Sequence, residues 1–158
     1  MIEQRLTIDY QEYESPEQMS AQDQALVAAA YKAKEGSYSP YSQFQVGAAL
    51  LLEDGTIIKG ANQENVAYPA GLCAERTAMF AAGANHPATP FKSLAIVASD
   101  HGVTCSYPAS PCGSCRQVMA EYQKKYGRPF SIILVGSKCI RKFARVDDLL
   151  PFIFDSLD

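Results

Sequence analysis

Five cysteines occur in this chain of 158 residues, and three of them stand where an irregular stretch gives way to a helical pattern. The first stretch reads Gly71-Leu72-Cys73-Ala74-Glu75-Arg76-Thr77-Ala78, and the second reads Ser110-Pro111-Cys112-Gly113-Ser114-Cys115-Arg116-Gln117. Cys112 and Cys115 lie three apart at a helix start, so their sulfurs can point the same way. That pair alone fits a redox motif, half of a structural zinc site, or two buried cysteines. Cys73 also opens a helix, where the amides and the dipole favour thiolate, the form that binds metal. Two such helix starts facing each other would hold three thiolates around one zinc ion. Structural zinc takes four protein ligands, whereas catalytic zinc takes three and leaves a place for water. Cys105 and Cys139 are the remaining cysteines and neither has a paired spacing, so the open site is favoured.

The carboxylate beside Cys73 strengthens that reading. Glu75, Ala78, Met79 and Ala82 recur at i, i+3, i+4 and i+7, which puts Glu75 at the head of an apolar face. Burial there raises a carboxyl pKa, which suits a proton shuttle. The plainer alternative is a solvated first-turn glutamate that complements the helix dipole. Residues two apart do not share a helix face, so Cys73 and Glu75 can serve one site only from the first turn. Arg76 follows Cys73 on the other diagonal, with Thr77 and Phe80. Three thiolates on one divalent zinc leave a charge of about −1. Arg76 is therefore expected to offset it by donating to cysteine sulfur; the alternative is an exposed, solvated arginine.

The elements that must position these groups read as an α/β pattern. Residues 1–14 alternate weakly and suggest an extended arm or edge strand ahead of a domain over 15–158. Ser15-Pro16 with Gln18 reads as a capped helix start, and Leu26, Ala29, Ala30 and Ala33 as its apolar stripe, ending near Gly36. A loop with Tyr38 and Tyr41 leads to a strand over 46–53, a two-residue turn at Asp54-Gly55, and a returning strand over 56–61. The polar run Asn62 to Pro69 follows at a strand end, a usual place for a small-molecule site. A helix from Cys73 to about Ala82 is closed by Gly83 and Asn85. A strand over 93–99, a long loop to Pro111, a helix from Cys112 to Gly127, and strands over 131–135 and 140–144 complete the pattern. This predicts a layered α/β domain with a mixed sheet of about five strands.

Composition narrows the partners. The chain carries 14 basic and 17 acidic residues, a net charge of −3, with no basic run, which disfavours a nucleic-acid partner and RNA editing. The first residues lack an apolar core of signal-peptide length, and the run Val46 to Leu52 is too short to span a bilayer. A soluble cytoplasmic protein without a disulfide framework is expected.

These phrases resemble the zinc signature of the nucleobase deaminases, in the form where cysteine replaces histidine: Cys73-Ala74-Glu75 followed by Pro111-Cys112 and Cys115. Tyr38-Ser39-Pro40-Tyr41-Ser42, Phe44, Asn62, Glu64-Asn65 and Tyr68-Pro69 extend the resemblance to the small homotetrameric cytidine deaminases, over roughly residues 20 to 155. The resemblance implies a three-layer α-β-α domain and one zinc per chain held by Cys73, Cys112 and Cys115. It implies hydrolytic deamination of cytidine and 2′-deoxycytidine to the uridine product and ammonia, in pyrimidine salvage, with Glu75 as proton shuttle. By the same resemblance the Ala74 amide contacts the pyrimidine, the Ser110 carbonyl lies near the leaving amine, and Phe44 packs on the base. Asn62 and Glu64 hold the ribose 3′-hydroxyl, and Tyr68 and Phe154 complete sites across subunit contacts. The first fourteen residues exceed the usual start of that family, and Gly136 to Ile140 lacks its usual Asp-Gly turn. Three rivals stand beside this reading. One is deamination of another cytosine-bearing nucleoside such as blasticidin S, against which Asn62 and Glu64 argue. The others are a zinc-stabilised binding module with a fourth ligand, and a thiol redox protein built on Cys112 and Cys115.

Overall fold

Alternation along three adjacent strands decides the layering. In the computed structural model, which describes residues 1–157, strands β2 (Phe44–Leu52), β4 (Phe91–Asp100) and β6 (Ser131–Val135) form the centre of one sheet. On one face Ala48, Leu50, Leu52, Leu94, Ile96, Ile132 and Leu134 pack against helices α2 (Ala74–Asn85) and α3 (Gly113–Tyr126). On the other face Ala49, Leu51, Ala95, Val97, Ile133 and Val135 pack against Leu26, Val27 and Ala30 of α1 (Ala21–Lys34). A strand buried on both sides reads as an unbroken apolar run, as β2 and β6 do. The result is a three-layer α-β-α sandwich.

Strand β3 (Ile57–Ala61) pairs antiparallel with β2, which pairs antiparallel with β4. Strands β3 and β4 therefore point the same way, and α2 carries the chain across between them. β4 and β6 are parallel, so α3 makes the second crossover. Both crossover helices consequently begin at the carboxyl ends of parallel-running strands, on one face and at one end of the sheet. That end is where open α/β sheets place their ligands. The topology thus brings the starts of α2 and α3 together.

Close approach needs a small residue. A Cβ on Gly60 of β3 would sit 2.4 Å from the Ala74 carbonyl and 2.5 Å from the Ala78 amide. Gly60 thus lets the first turn of α2 lie directly on β3.

The sheet has seven strands, two more than the expected five. β1 (Gln11–Tyr13) pairs antiparallel with β7 (Ile140–Phe143), and β5 (Val103–Thr104) pairs with the end of β4. Strands of three and two residues carry no readable alternation; they exist because a neighbour supplies the ladder. β5 closes through His101 and Gly102, both at positive φ, inside the stretch expected to be a long loop. The Asp54-Gly55 turn is one residue longer than expected, because the Leu52 amide already pairs with the Thr56 carbonyl.

The first helix begins later than Ser15-Pro16 suggests. Residues Pro16–Gln18 make a 3-10 turn, Met19 leaves it extended and buries its side chain under α1, and Ser20 becomes the cap. The Ser20 hydroxyl accepts from the Asp23 amide at 3.2 Å and donates to the Asp23 carboxylate at 2.9 Å. Gly83 does not end α2 either. A Cβ there would lie 2.1 Å from the Tyr122 hydroxyl, so this glycine admits the α3 tyrosine while α2 continues to Asn85. No helix among the described residues is long and apolar enough to cross a membrane.

Gly60→Ala is expected to cost about 1–3 kcal/mol or more, because its methyl group meets backbone and not a flexible side chain. Denaturant unfolding of the purified variant measures this, and an unchanged midpoint would contradict the packing described.

Candidate metal centre

Cys73 is the N-cap of α2 and Cys112 the N-cap of α3, both with extended backbone, and Cys115 lies in the first turn of α3. Their sulfur atoms all lie within 4.8 Å of one another, and those of Cys73 and Cys112 are 3.9 Å apart. A tetrahedral ion with zinc–sulfur bonds of about 2.3 Å requires sulfurs about 3.8 Å apart. The donor set and its spacing fit zinc. Cys112 is exposed, Cys73 half-buried and Cys115 buried, while Cys105 and Cys139 lie outside the cluster.

The surroundings treat the three sulfurs unequally. The Cys73 thiol is pushed down to about 5, chiefly by a hydrogen bond from Cys115 and then by one from Arg76. Cys115 is pushed up, first by that same bond to Cys73 and then by burial. This one bond thus favours the thiolate at Cys73 and the thiol at Cys115. A divalent cation competes for these sulfurs, and binding it releases protons. Arg76 Nη2 lies 3.5 Å from Cys73 Sγ, and its Nε is buried with no hydrogen-bond partner among the described residues. The Thr77 amide and hydroxyl both donate to the Cys73 carbonyl, at 3.0 and 3.1 Å, which fixes the cap residue.

Glu75 heads the buried face of α2, only 5% exposed, with Ala78, Met79 and Ala82 below it. Burial, and next the negative charge of Cys73, push its carboxyl above the ordinary carboxylate range. Arg76, Thr77 and Phe80 fall on the less buried diagonal.

A cavity of about 490 Å³ opens beside Cys73 and Arg76. Its wall is stitched from three segments. Gln63 exchanges two backbone hydrogen bonds with Leu72, both 2.9 Å, just before Cys73. On its other side the Tyr38 amide donates to the Asn62 carbonyl and the Glu64 amide to the Tyr38 carbonyl. The Glu64 carboxylate accepts from the Tyr41 and Ser42 amides at 2.9 and 3.2 Å and from the Ser42 hydroxyl, which holds its pKa below the usual range. Asn62 Oδ1 accepts from Ser37 Oγ at 2.6 Å and from the Val46 amide at 2.8 Å, while Nδ2 donates to the Phe44 carbonyl at 2.8 Å. One N–H of that amide is left for a ligand.

Of the residues singled out from sequence, Asn62, Glu64, Tyr68, Cys73 and Arg76 line the cavity together. Cys112, Cys115 and Glu75 stand behind it, around the same sulfur cluster. Ala74 is the buried first residue of α2, Ser110 lies exposed on the loop before Pro111, and Phe44 starts β2 half-buried; none of the three lines the cavity. Phe154 is 68% exposed, its carbonyl held by Gln117 on the far flank of α3. From sequence, Ser42 and Thr77 carry no role beyond their place in the phrases named above. Ser42 lies 22 residues from Glu64, a separation at which no periodicity betrays a contact. A signal for Thr77 was present, since a threonine four residues after a cap can reach back to its carbonyl.

Residues 20–126 match the model of the cytidine and deoxycytidylate deaminase zinc-binding region. The chain belongs to that family. A cytidine deaminase from Sporosarcina psychrophila is 55% identical over 97 residues, covering 61% of this chain and 67% of that one. A probable cytidine deaminase from Dictyostelium discoideum is 33% identical over 132 residues, 84% of this chain and 83% of its own. The crystal structure of cytidine deaminase from Burkholderia pseudomallei superposes with a TM-score of 0.71 at 40% identity, covering 86% of this chain and all 100% of that chain. Members of this deaminase family are thus similar to the chain across both cysteine phrases and the sheet between them.

The raised Glu75 carboxyl fixes the sign of a pH effect on the metal-free protein. A group whose folded pKa is raised contributes stability fully below its ordinary value, and loses it as pH rises through the folded value. Glu75→Gln removes that dependence. The variant should match the parent at about pH 4 and exceed it in stability at about pH 7, as read from urea unfolding of both proteins without metal. Parallel stability curves would show that the carboxyl is solvated.

Proposed function

We propose that this chain is a hydrolase of C–N bonds, a zinc-dependent deaminase converting cytidine and 2′-deoxycytidine to the uridine nucleosides and ammonia in cytoplasmic pyrimidine salvage. The observation that carries this is the cluster of three sulfurs beside a buried carboxylate, at the rim of a nucleoside-sized cavity. Cys73, Cys112 and Cys115 would hold one zinc per chain. When bound, zinc supplies the Lewis acidity that makes water a competent nucleophile near neutral pH.

The remaining work falls to the chain. Glu75, its carboxyl raised above the ordinary carboxylate range, accepts one proton from water and delivers it to N3 of the cytosine, then takes the second proton from the hydroxyl added at C4 and gives it to the departing amine. Water supplies the oxygen left on C4, so the products are the uracil nucleoside and ammonia. Arg76 offsets the negative charge of the thiolates through Cys73. Asn62, with its spare N–H, and the Glu64 carboxylate are suited to a ribose 3′-hydroxyl. Contacts of Phe44 with the base, and of the Ala74 amide and the Ser110 carbonyl with the edges of the pyrimidine, rest on the family resemblance, since none of the three lines the cavity of the single chain. Among the described residues Arg76 is the only cation on the cavity wall, and its guanidinium is directed at sulfur, which favours a nucleoside over a phosphorylated nucleotide. Tyr68 and Phe154 are exposed side chains of the kind that complete a neighbour's site, and we infer a homotetramer. Nucleic acid and membrane are not partners in this reading.

Glu75→Gln should retain zinc and fold while losing about 10²- to 10⁴-fold in turnover, the usual worth of a positioned acid–base group. Metal content per chain and cytidine-dependent ammonia release, measured on the same preparations, test this. Full turnover in the variant, or an active parent without metal, would sink the assignment. Arg76→Gln should weaken zinc retention and lower turnover together; a variant unchanged in both would remove Arg76 from the site.

A further inference from the structure

The three cysteines are not equally supported. Cys73 has its carbonyl held twice by Thr77 and its sulfur approached by Arg76. Cys115 is buried within the first turn of α3. Cys112 is exposed and follows a loop containing Pro108 and Pro111, neither of which has an N–H to donate. What holds this third sulfur in register with the other two is not evident from the cysteine phrases themselves.

Arg116 answers that need. Its amide donates to the Cys112 carbonyl at 3.0 Å, and its Nε donates to the carbonyl of Pro111 at 2.8 Å. Its Nη1 donates at 2.8 Å to the carbonyl of Leu149, near the other end of the chain. Leu149 is itself anchored: its side chain is buried in the same cluster as Cys115 and Met119, and its amide bonds the Val146 carbonyl at 2.8 Å. Gln123, two turns along α3, clamps that segment separately through the Val146 amide and the Asp147 carboxylate. The guanidinium is therefore a rigid fork between an anchored carbonyl and the carbonyl immediately before Cys112. A planar group with fixed N–H directions can span both acceptors, whereas a lysine ammonium is a single point.

We propose that Arg116 is a positioning residue for the metal centre, holding Cys112 in place by bridging its loop to the C-terminal segment at Leu149. It acts through Cys112 and touches no substrate. The proposal rests on the reading that the three thiols hold zinc. It makes the C-terminal segment at Leu149, 33 residues after Arg116, part of the support of the site.

The test compares the parent, Arg116→Gln, Arg116→Lys and Gln123→Ala as full-length zinc-loaded proteins, by the rate of zinc release to a chromophoric chelator. Partners outside the ligand shell commonly carry 10- to 100-fold in metal affinity, so both Arg116 variants should release zinc about 10-fold faster or more. Cobalt(II)-loaded Arg116→Lys should also show an altered thiolate-to-metal charge-transfer band. Gln123→Ala loosens the same segment without touching the Pro111 carbonyl, and should accelerate zinc release far less than either Arg116 variant. Parental release from Arg116→Lys would overturn the bridge, leaving only a charge effect. Equal acceleration by Gln123→Ala would overturn it too, as general loosening. A parent that binds no zinc defeats this inference and the proposed function together. A zinc-bound, active parent with unaffected Arg116 variants defeats this inference alone.

Discussion

The structure depends on gathering negative charge where two helices begin. Three sulfurs within 4.8 Å would repel one another as thiolates, and one of them is fully buried. Each helix start offers roughly half a positive charge, and the aligned amides cost nothing to reorganise. With a divalent cation bound, two starts and one guanidinium would together with it more than balance three thiolates, leaving room for one further negative group close by. Glu75 occupies that place. Its burial would be costly beside an uncompensated cluster, and this coupling explains why the carboxyl and the sulfurs must be considered as one electrostatic unit.

The sheet supplies the geometry that this balance needs. β3 and β4 run in one direction with β2 between them, so the helices that follow each begin at the same end. Gly60 lets α2 settle onto β3, and the Gln63 bridges tie the segment before Cys73 to the strand end that carries Asn62 and Glu64. Cavity wall and sulfur cluster are therefore parts of one hydrogen-bonded unit.

How much of this could be read from sequence depended on the range of the cause. The ends of α3 were legible because Cys112 and Gly127 are local signals, and Gly127 takes up the left-handed conformation its position demands. The inward face of α2 was legible through its 3.6-residue period. Gly83 was misread as a stop because its role lies in Tyr122, on another helix. The later start of α1 turns on Met19 finding a place in the core, which no cap signal encodes. β1 and β5 are products of pairing and have no pattern of their own. At the candidate site the three clustered cysteines and Glu75 stood out by residue type and spacing, whereas Ser42 became visible only once the chain was folded.

The pairing of β1 with β7 has a consequence for assembly. Residues 11–13 meet residues 140–142, a ladder between segments nearly the whole chain apart. The loop that this ladder closes has about the largest entropy cost available to the molecule, and contacts of such separation form late. During synthesis the first strand must wait for the last one to emerge. The ladder that seals this margin of the sheet is therefore available only once residues 140–142 have been made.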